Sequence, residues 1–406
     1  MEELMYYVWQ QRLFSSIVTL DETPIEIINP GVRNLDAGPD FFNAKVKIGN
    51  MVWAGTVEMH VKASDWFKHN HHKDRAYDNV ILHVVLTADA VILRPGSSEP
   101  IQTVLMRIPQ EVMQRYQTLT ASQPYSFSAI RCAQRIPEIP SIEVTAWEDR
   151  LAADRLEAKV HRVRDLIEDR KESWQEALYV ILCRSLGTGV NSDAFERLAR
   201  SLPYSFIQKH LDQPLQVKAL LWGQAGIIPP ELSRLQQEYD FLRAKFQLTP
   251  MHPSVWKRSS LRPLASPENR LHALMLLICT HQDLHNEILE AKDILSLQKI
   301  FIIPKFIGVQ TANSLIINAA IPIIRAYGLW QADEEICERA FDLLVQLPAE
   351  SNRYMDYWLK AGVPIRNAFD SQALLQLYRE YCEPHKCMNC RFGCWFVRKK
   401  EYNTGK

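Results

Sequence analysis

Between Gly38 and His83 the chain gathers an unusual density of groups that can do acid–base or metal chemistry. Asp40 follows Gly38-Pro39, and Glu58, His60 and Lys62 recur at i, i+2 and i+4 within the β-type segment Val52–Lys62. A strand has period two, so these three side chains share one face, with Trp53, Gly55, Val57, Met59 and Val61 on the other. The apolar face is expected to pack on a core. Charged groups in mid-strand are costly to bury unpaired, so the opposite face is either solvated or a site. Asp40, on an adjoining strand, brings a second carboxylate beside Glu58. Two neighbouring carboxylates raise each other's pKa unless a cation sits between them. Hard oxygen ligands with open positions suit Mg²⁺ or Mn²⁺. His60 or Lys62 then orients an attacking water or stabilises charge on a scissile phosphate. Asp40, Glu58, His60 and Lys62 are therefore the candidate catalytic residues.

A histidine run follows: Asp65-Trp66, His69, His71, His72, Asp74 and Tyr77, then His83 inside the apolar segment Val80-Ile-Leu-His-Val-Val. On a helix, His69 and His72 fall at i, i+3 and share a face. One reading makes His60, His83 and one of His69, His71 or His72 into ligands or proton-transfer groups. The other makes His83 a buried, hydrogen-bonded core residue and residues 69–74 a solvated face. So many such residues within about thirty positions favour a site, with Asp40, Glu58, His69, His71 and His83 as candidate ligands. A histidine–carboxylate site built on His60, His83 and a carboxylate, holding Zn²⁺ or Fe²⁺ for a hydrolase or oxygenase, is a second reading of the same residues.

A further cluster closes the chain. Cys382, Cys387, Cys390 and Cys394 give C-x4-C-x2-C-x3-C with His385 in the first gap, which is four of the eight cysteines. C-x2-C is the spacing a tetrahedral metal takes from one turn of chain, so a structural zinc or an iron–sulfur cluster is expected here. Cys132, Cys183, Cys279 and Cys337 lie in apolar surroundings and read as core. Around the cluster, Arg391, Arg398, Lys399 and Lys400 mix with Phe392, Trp395 and Phe396, a composition able to bind nucleic acid. The loop with Lys257, Arg258, Arg262 and Arg270 is a lesser basic patch.

The elements needed to hold the first cluster are legible. A short helix covers the first fourteen residues, with Met5, Val8, Trp9 and Leu13 on one face. Strands are expected at Ile25–Ile28, Phe42–Ile48, Val52–Lys62, Val80–Leu86 and Ala90–Leu93, separated by turn signals such as Asn29-Pro30-Gly31 and Gly49-Asn50. A helix is expected over Ser64–Tyr77, capped by Ser64. The order is α-β-β-β-α-β. The proline-rich stretch Ile136-Pro-Glu-Ile-Pro-Ser marks a boundary between an α/β module at 1–135 and a helical domain at 141–406 that ends in the cysteines. Residues 142–185 read as one or two long helices with Trp147, Leu151, Leu156, Val160 and Val163 in the core, and further helices follow, one of them over 268–295. The fold class is α+β: a small N-terminal mixed sheet with flanking helices, then an all-α region.

Composition narrows the function. Of 406 residues, 47 are Lys or Arg and 47 are Asp or Glu. Zero net charge argues against a protein held on nucleic acid by bulk charge, although a local groove is compatible with it. The start, MEELMYYVWQQRLF, lacks the basic and apolar regions of a secretory signal. The apolar run Leu271–Cys279 is too short to span a bilayer. A cytoplasmic protein with reduced cysteines and no membrane partner is expected. Gly-rich phosphate loops, the G-x-S-x-G elbow and the H-E-x-x-H helix are absent from the sequence, which sets aside P-loop hydrolysis, serine hydrolases and zincins.

Two resemblances follow from these residues. Pro39-Asp40 resembles the first motif of the PD-(D/E)XK nuclease superfamily, and Glu58-Met59-His60 resembles the second, with histidine in place of its lysine. The order α-β-β-β-α-β matches that restriction-endonuclease-like core, and Lys62, one pleat on, is the candidate to replace the lysine. The strings GPDFFNAKVKIG, WAGTVEMHVKASDWFKHNHHKDRAYDNVILHVV and SQALLQLYREYCEPHKCMNC resemble a bacterial family designated only as a domain of unknown function, over nearly the whole chain. The first resemblance implies a metal-dependent phosphodiesterase acting on nucleic acid, with Asp40 and Glu58 on Mg²⁺ or Mn²⁺. The alternatives are a non-catalytic nucleic-acid-binding or scaffold protein on a degenerate core, and a histidine–metal enzyme with a small-molecule substrate.

Overall fold

The computed structural model describes residues 1–94, 98–121, 130–169, 171, 173–259, 261 and 263–398. Arg262, Lys399 and Lys400 lie outside them. The chain forms two compact units: Met1–Val144 with Lys360–Gly362 and Tyr378–Lys406, and Thr145–Leu359 with Val363–Leu377. The cysteine tail, expected to close the helical domain, thus groups with the first unit.

The first unit is built on a mixed seven-stranded sheet. Its strands are β1 (Ser16–Thr19), β2 (Ile25–Asn29), β3 (Val32–Arg33), β4 (Phe41–Ile48), β5 (Met51–Lys62), β6 (Val80–Thr87) and β7 (Thr103–Arg107). Their order is β1-β7-β6-β5-β4-β2, with β3 also on β4. β4 and β5 form an antiparallel hairpin, whereas β5–β6 and β6–β7 are parallel. A parallel pair needs a crossover connection, and the segment between β5 and β6 supplies it.

That crossover is not the single helix expected over Ser64–Tyr77. It is a four-residue helix, α2 (Asp65–Lys68), followed by two tight turns, His71–Lys73 and Arg75–Tyr77. Asn70 adopts φ 63, a left-handed conformation that Asn tolerates better than most residues and that ends the helix. Three strands escaped the sequence reading: the two-residue β3, and β1 and β7, which pair with each other at one edge. Ala90–Leu93, expected as a strand, is not one; Ile92 is instead buried beside Trp66, Tyr77, Val80 and Ile101.

The N-terminal helix α1 (Glu2–Gln11) buries Leu4, Met5, Tyr7, Val8 and Trp9 in this unit. The Trp9 indole N–H donates to the Pro30 carbonyl at 2.9 Å, and its ring packs on Phe41. In β4 the register shifts between Phe41 and Ala44, with Asn43 at φ 56. Such a bulge bends a strand and re-aims neighbouring side chains, here next to Asp40.

The second unit is all helical. Ser141–Arg164 and Trp174–Leu186 replace the expected run over 142–185, and Leu151, Leu156, Val160 and Val163 are buried while Trp147 is only half-buried. The helix expected over 268–295 is three: Pro267–Thr280, Leu284–Glu290 and Ile294–Phe301. The helical run Val309–Gln331 is long and apolar enough to cross a bilayer, but 72% of its most apolar window is buried. That fits the core helix of a soluble protein.

Candidate metal centre

β5 carries the first two groups of the site. Its alternation sends Glu58 and His60 to one side, and both are buried, at 5% and 1% exposure. The expectation of one apolar and one polar face holds only in part. Trp53 is exposed, while α2 and the turns after it cover Glu58 and His60 with rings: Trp66 lies 6.4 Å and His71 5.2 Å from His60, centroid to centroid.

Within this cover three more histidines converge. His60 Nδ1 lies 2.9 Å from His83 Nε2, and His60 Nε2 lies 3.1 Å from His69 Nδ1. Glu58 Oε1 is 3.6 Å from His60 Nε2 and 3.3 Å from His71 Nε2. Among the described residues, His60, His69 and His71 are the trio whose donor atoms all lie within 4.8 Å of one another. His71 stacks on Tyr77 with centroids 3.9 Å apart, which fixes its ring plane. His72, its neighbour in sequence, turns towards Phe67 instead.

Electrostatics agree with a neutral, ligand-ready imidazole at the centre. Burial, with His83, His71 and His69 around it, pushes His60 down to about 2. Burial and His71 push His83 down to about 4. Burial drives Glu58 the other way, to about 7, with the Asp40 carboxylate adding to the rise and His71 opposing it. Each shift records a charge made costly by desolvation, and a divalent cation among these atoms inverts that balance for the carboxylate.

Asp40 sits where the motif spacing put it, beside Glu58. Its Oδ1 accepts from Arg33 at 2.8 Å and its Oδ2 from the Met59 backbone N–H at 2.9 Å. Its own backbone N–H donates to Glu58 Oε2 at 3.0 Å. Both carboxylate oxygens therefore accept hydrogen bonds within the protein, and the Asp40 backbone holds Glu58. Burial raises its pKa, and Arg33 works against that. Lys62 is exposed, with its backbone N–H bonded to Asp65. It shares the face of Glu58 and His60 without entering the cluster.

Three nitrogens and one carboxylate oxygen fit a borderline transition metal such as Zn²⁺ or Fe²⁺ better than Mg²⁺, which prefers oxygen donors. The buried Nδ1 of His83 has no hydrogen-bond partner among the described residues. His83 lies beside His60 on the adjacent parallel strand, its Nε2 towards the His60 ring. His69 is exposed, so the cluster opens to solvent on that side.

Sequence reasoning missed Arg33, whose guanidinium lies 3.4 Å from the Tyr6 ring centroid and anchors Asp40. Its one signal was a lone arginine seven positions before an aspartate. Of the described part of the terminal basic and aromatic mixture, Phe392 and Phe396 are buried and Arg391 pairs with Glu143 at 2.6 Å. In the other basic loop Arg258 pairs with Glu268 and Arg270 is buried. Of the terminal cysteines, Cys382, Cys387 and Cys390 border one recess, which Cys394 does not line.

Residues 2–353 match the model of a family described as "Protein of unknown function (DUF2851)". No curated protein and no solved structure matches the chain. With most of its length inside that model, the chain belongs to the DUF2851 family.

Proposed function

We propose that this protein is a metal-dependent hydrolase of phosphodiester bonds, with its ion held by His60, His69, His71 and Glu58. The observation that carries the reading is the convergence of three imidazole nitrogens within 4.8 Å, with Glu58 Oε1 3.3 to 3.6 Å from two of the rings. The phosphodiester assignment rests on the layout around it. Asp40, directly before β4, and Glu58 on β5 lie side by side, with position 60 one pleat further, the layout of the restriction-endonuclease-like core that the motifs resemble. At position 60 a histidine in place of lysine changes the ion from one held by oxygens to one held largely by imidazole.

Bound there, a divalent ion supplies Lewis acidity and lowers the pKa of a coordinated water. The chain's own residues do the rest. Asp40, clamped by Arg33, fixes Glu58 through a backbone N–H and leaves Oε1 facing the histidines. Tyr77 holds the His71 ring by stacking. Lys62, exposed on the same strand face, offers a charge to a phosphate arriving from the open side.

The test is metal analysis of the purified chain together with hydrolysis of bis(p-nitrophenyl) phosphate and of single- and double-stranded DNA and RNA with Mn²⁺ or Zn²⁺. Turnover that is lost at least a hundredfold in His60→Ala and Glu58→Gln is the expected result. Stoichiometric ion binding with no cleavage of any phosphodiester overturns the hydrolase and leaves a histidine–metal protein of other chemistry.

A further inference from the structure

A second set of metal-type side chains lies in the first unit, away from the histidine cluster, and its membership differs from what the terminal spacing suggests. We propose that Cys132, Cys382, Cys387 and Cys390 form a four-thiolate metal centre and that Cys394 stands outside it. These four cysteines border one recess. Cys132 reaches it from a segment 250 positions earlier in the chain.

Local structure supports each part. Cys387 and Cys390 come from one tight turn, closed by the Cys390 N–H to the Cys387 carbonyl at 3.3 Å, the form in which C-x2-C offers two sulfurs to one centre. The helix Arg391–Arg398 starts directly behind this turn. A Cβ at Gly393 would fall 2.0 Å from the Cys387 carbonyl oxygen, so only glycine lets the helix press the turn into place. Arg131, next to Cys132, hydrogen-bonds to Cys387 and also borders the recess. That is the place of an outer-shell donor which compensates thiolate charge. Cys394 is committed elsewhere: its Sγ donates to the Met388 carbonyl at 3.0 Å, and the Tyr7 hydroxyl donates to its own carbonyl at 3.2 Å.

Four cysteines that border one recess suit a thiophilic centre, a zinc ion or an iron–sulfur cluster. Its effect on the fold is large, because it ties the end of the N-terminal segment to the tail across a closed loop of 250 positions.

The full chain carrying His60→Ala, so that the histidine cluster does not contribute, is purified anaerobically and assayed for zinc, iron and acid-labile sulfide. One zinc per chain without sulfide identifies a zinc site, and iron with sulfide in a brown protein identifies a cluster; either supports the proposal. Adding Cys132→Ser should cut the metal to less than a tenth, while adding Cys394→Ser should leave it unchanged. Metal retained in Cys132→Ser but lost in Cys394→Ser overturns the assignment, as does a chain holding neither metal. Should Cys132→Ser fail to fold, thiol alkylation of the folded parent read by mass spectrometry decides. Cys132, Cys382, Cys387 and Cys390 must become reactive together on metal removal, and Cys132 reacting on its own beforehand overturns the proposal.

Discussion

His60 Nδ1 and His83 Nε2 lie 2.9 Å apart on the adjacent parallel strands β5 and β6. Both rings are held neutral by burial, so each carries one N–H and one lone pair. With the His60 hydrogen on Nδ1 and donated to His83, the Nε2 lone pair is left facing His69 and Glu58, where an ion is to be held. His83 then acts through His60 as a positioning residue. His83→Ala is expected to weaken Mn²⁺ or Zn²⁺ binding by about ten- to a hundredfold, the range for an outer-shell partner. His72→Ala, whose ring faces Phe67, should leave it unchanged. Titration calorimetry reads both, and equal affinity in wild type and His83→Ala removes His83 from the site.

Asp40 and Glu58 should separate cleanly. Because both Asp40 oxygens are used by Arg33 and the Met59 N–H, Asp40→Asn should keep measurable ion binding and lose about 1–3 kcal/mol of stability, the cost of a half-buried charge left with a poorer partner. Glu58→Gln removes a ligand and should abolish binding while leaving thermal unfolding of the ion-free protein close to wild type or above it, since the buried carboxylate is costly without its cation. Abolished binding in Asp40→Asn with the fold intact would restore Asp40 to the donor set.

The split between what was legible and what was not follows from distance along the chain. Period two alone put Glu58 and His60 on one face of β5, and motif spacing put Asp40 beside them. His71 was among the candidate ligands, but the geometric reason for it was not legible, because the continuous helix expected over 64–77 pairs His69 with His72. The left-handed turn at Asn70 rotates the chain so that His71 enters instead, and φ at one asparagine is not a property that periodicity reports. β1 and β7 were invisible for a similar reason. Each is four or five residues long and gains its partner only from the other edge of the sequence. Cys132 is the extreme case, a single cysteine whose relation to Cys382 exists only after folding.

Lys62 is exposed at the end of β5, on the face of Glu58 and His60. A solvated ammonium there attracts an anionic substrate without touching the ion. Lys62→Ala should therefore leave metal affinity unchanged and lower kcat/KM towards a phosphodiester by about tenfold, a loss of about 1.4 kcal/mol in transition-state binding. The difference should shrink as salt rises from about 0.01 to 1 M, because exposed charges are screened. A salt-independent loss points to a structural effect of the substitution.

The helical unit carries a pH-sensitive weakness of its own. Glu148 is buried at 6% exposure near Asp370, which is itself paired with Arg366 at 2.8 Å. Burial, together with the Asp370 charge and against the pull of Arg366, pushes Glu148 up to about 7 from the ordinary 4.5. A folded-state pKa above the unfolded one means the folded chain binds the proton more tightly. The group therefore costs nothing below about pH 4.5, where both states are protonated. Its contribution declines as pH rises from there to about 7, and above that the full cost of a buried carboxylate is present. The difference of about 2.5 pKa units corresponds to a cost of up to about 3 kcal/mol. Glu148→Gln abolishes the titration and keeps the shape, so its stability relative to wild type should rise by up to that amount between pH 5 and pH 8. Denaturant unfolding of both proteins at the two pH values measures it. Parallel pH profiles for variant and wild type would mean that Glu148 reaches solvent or a cation when it ionises.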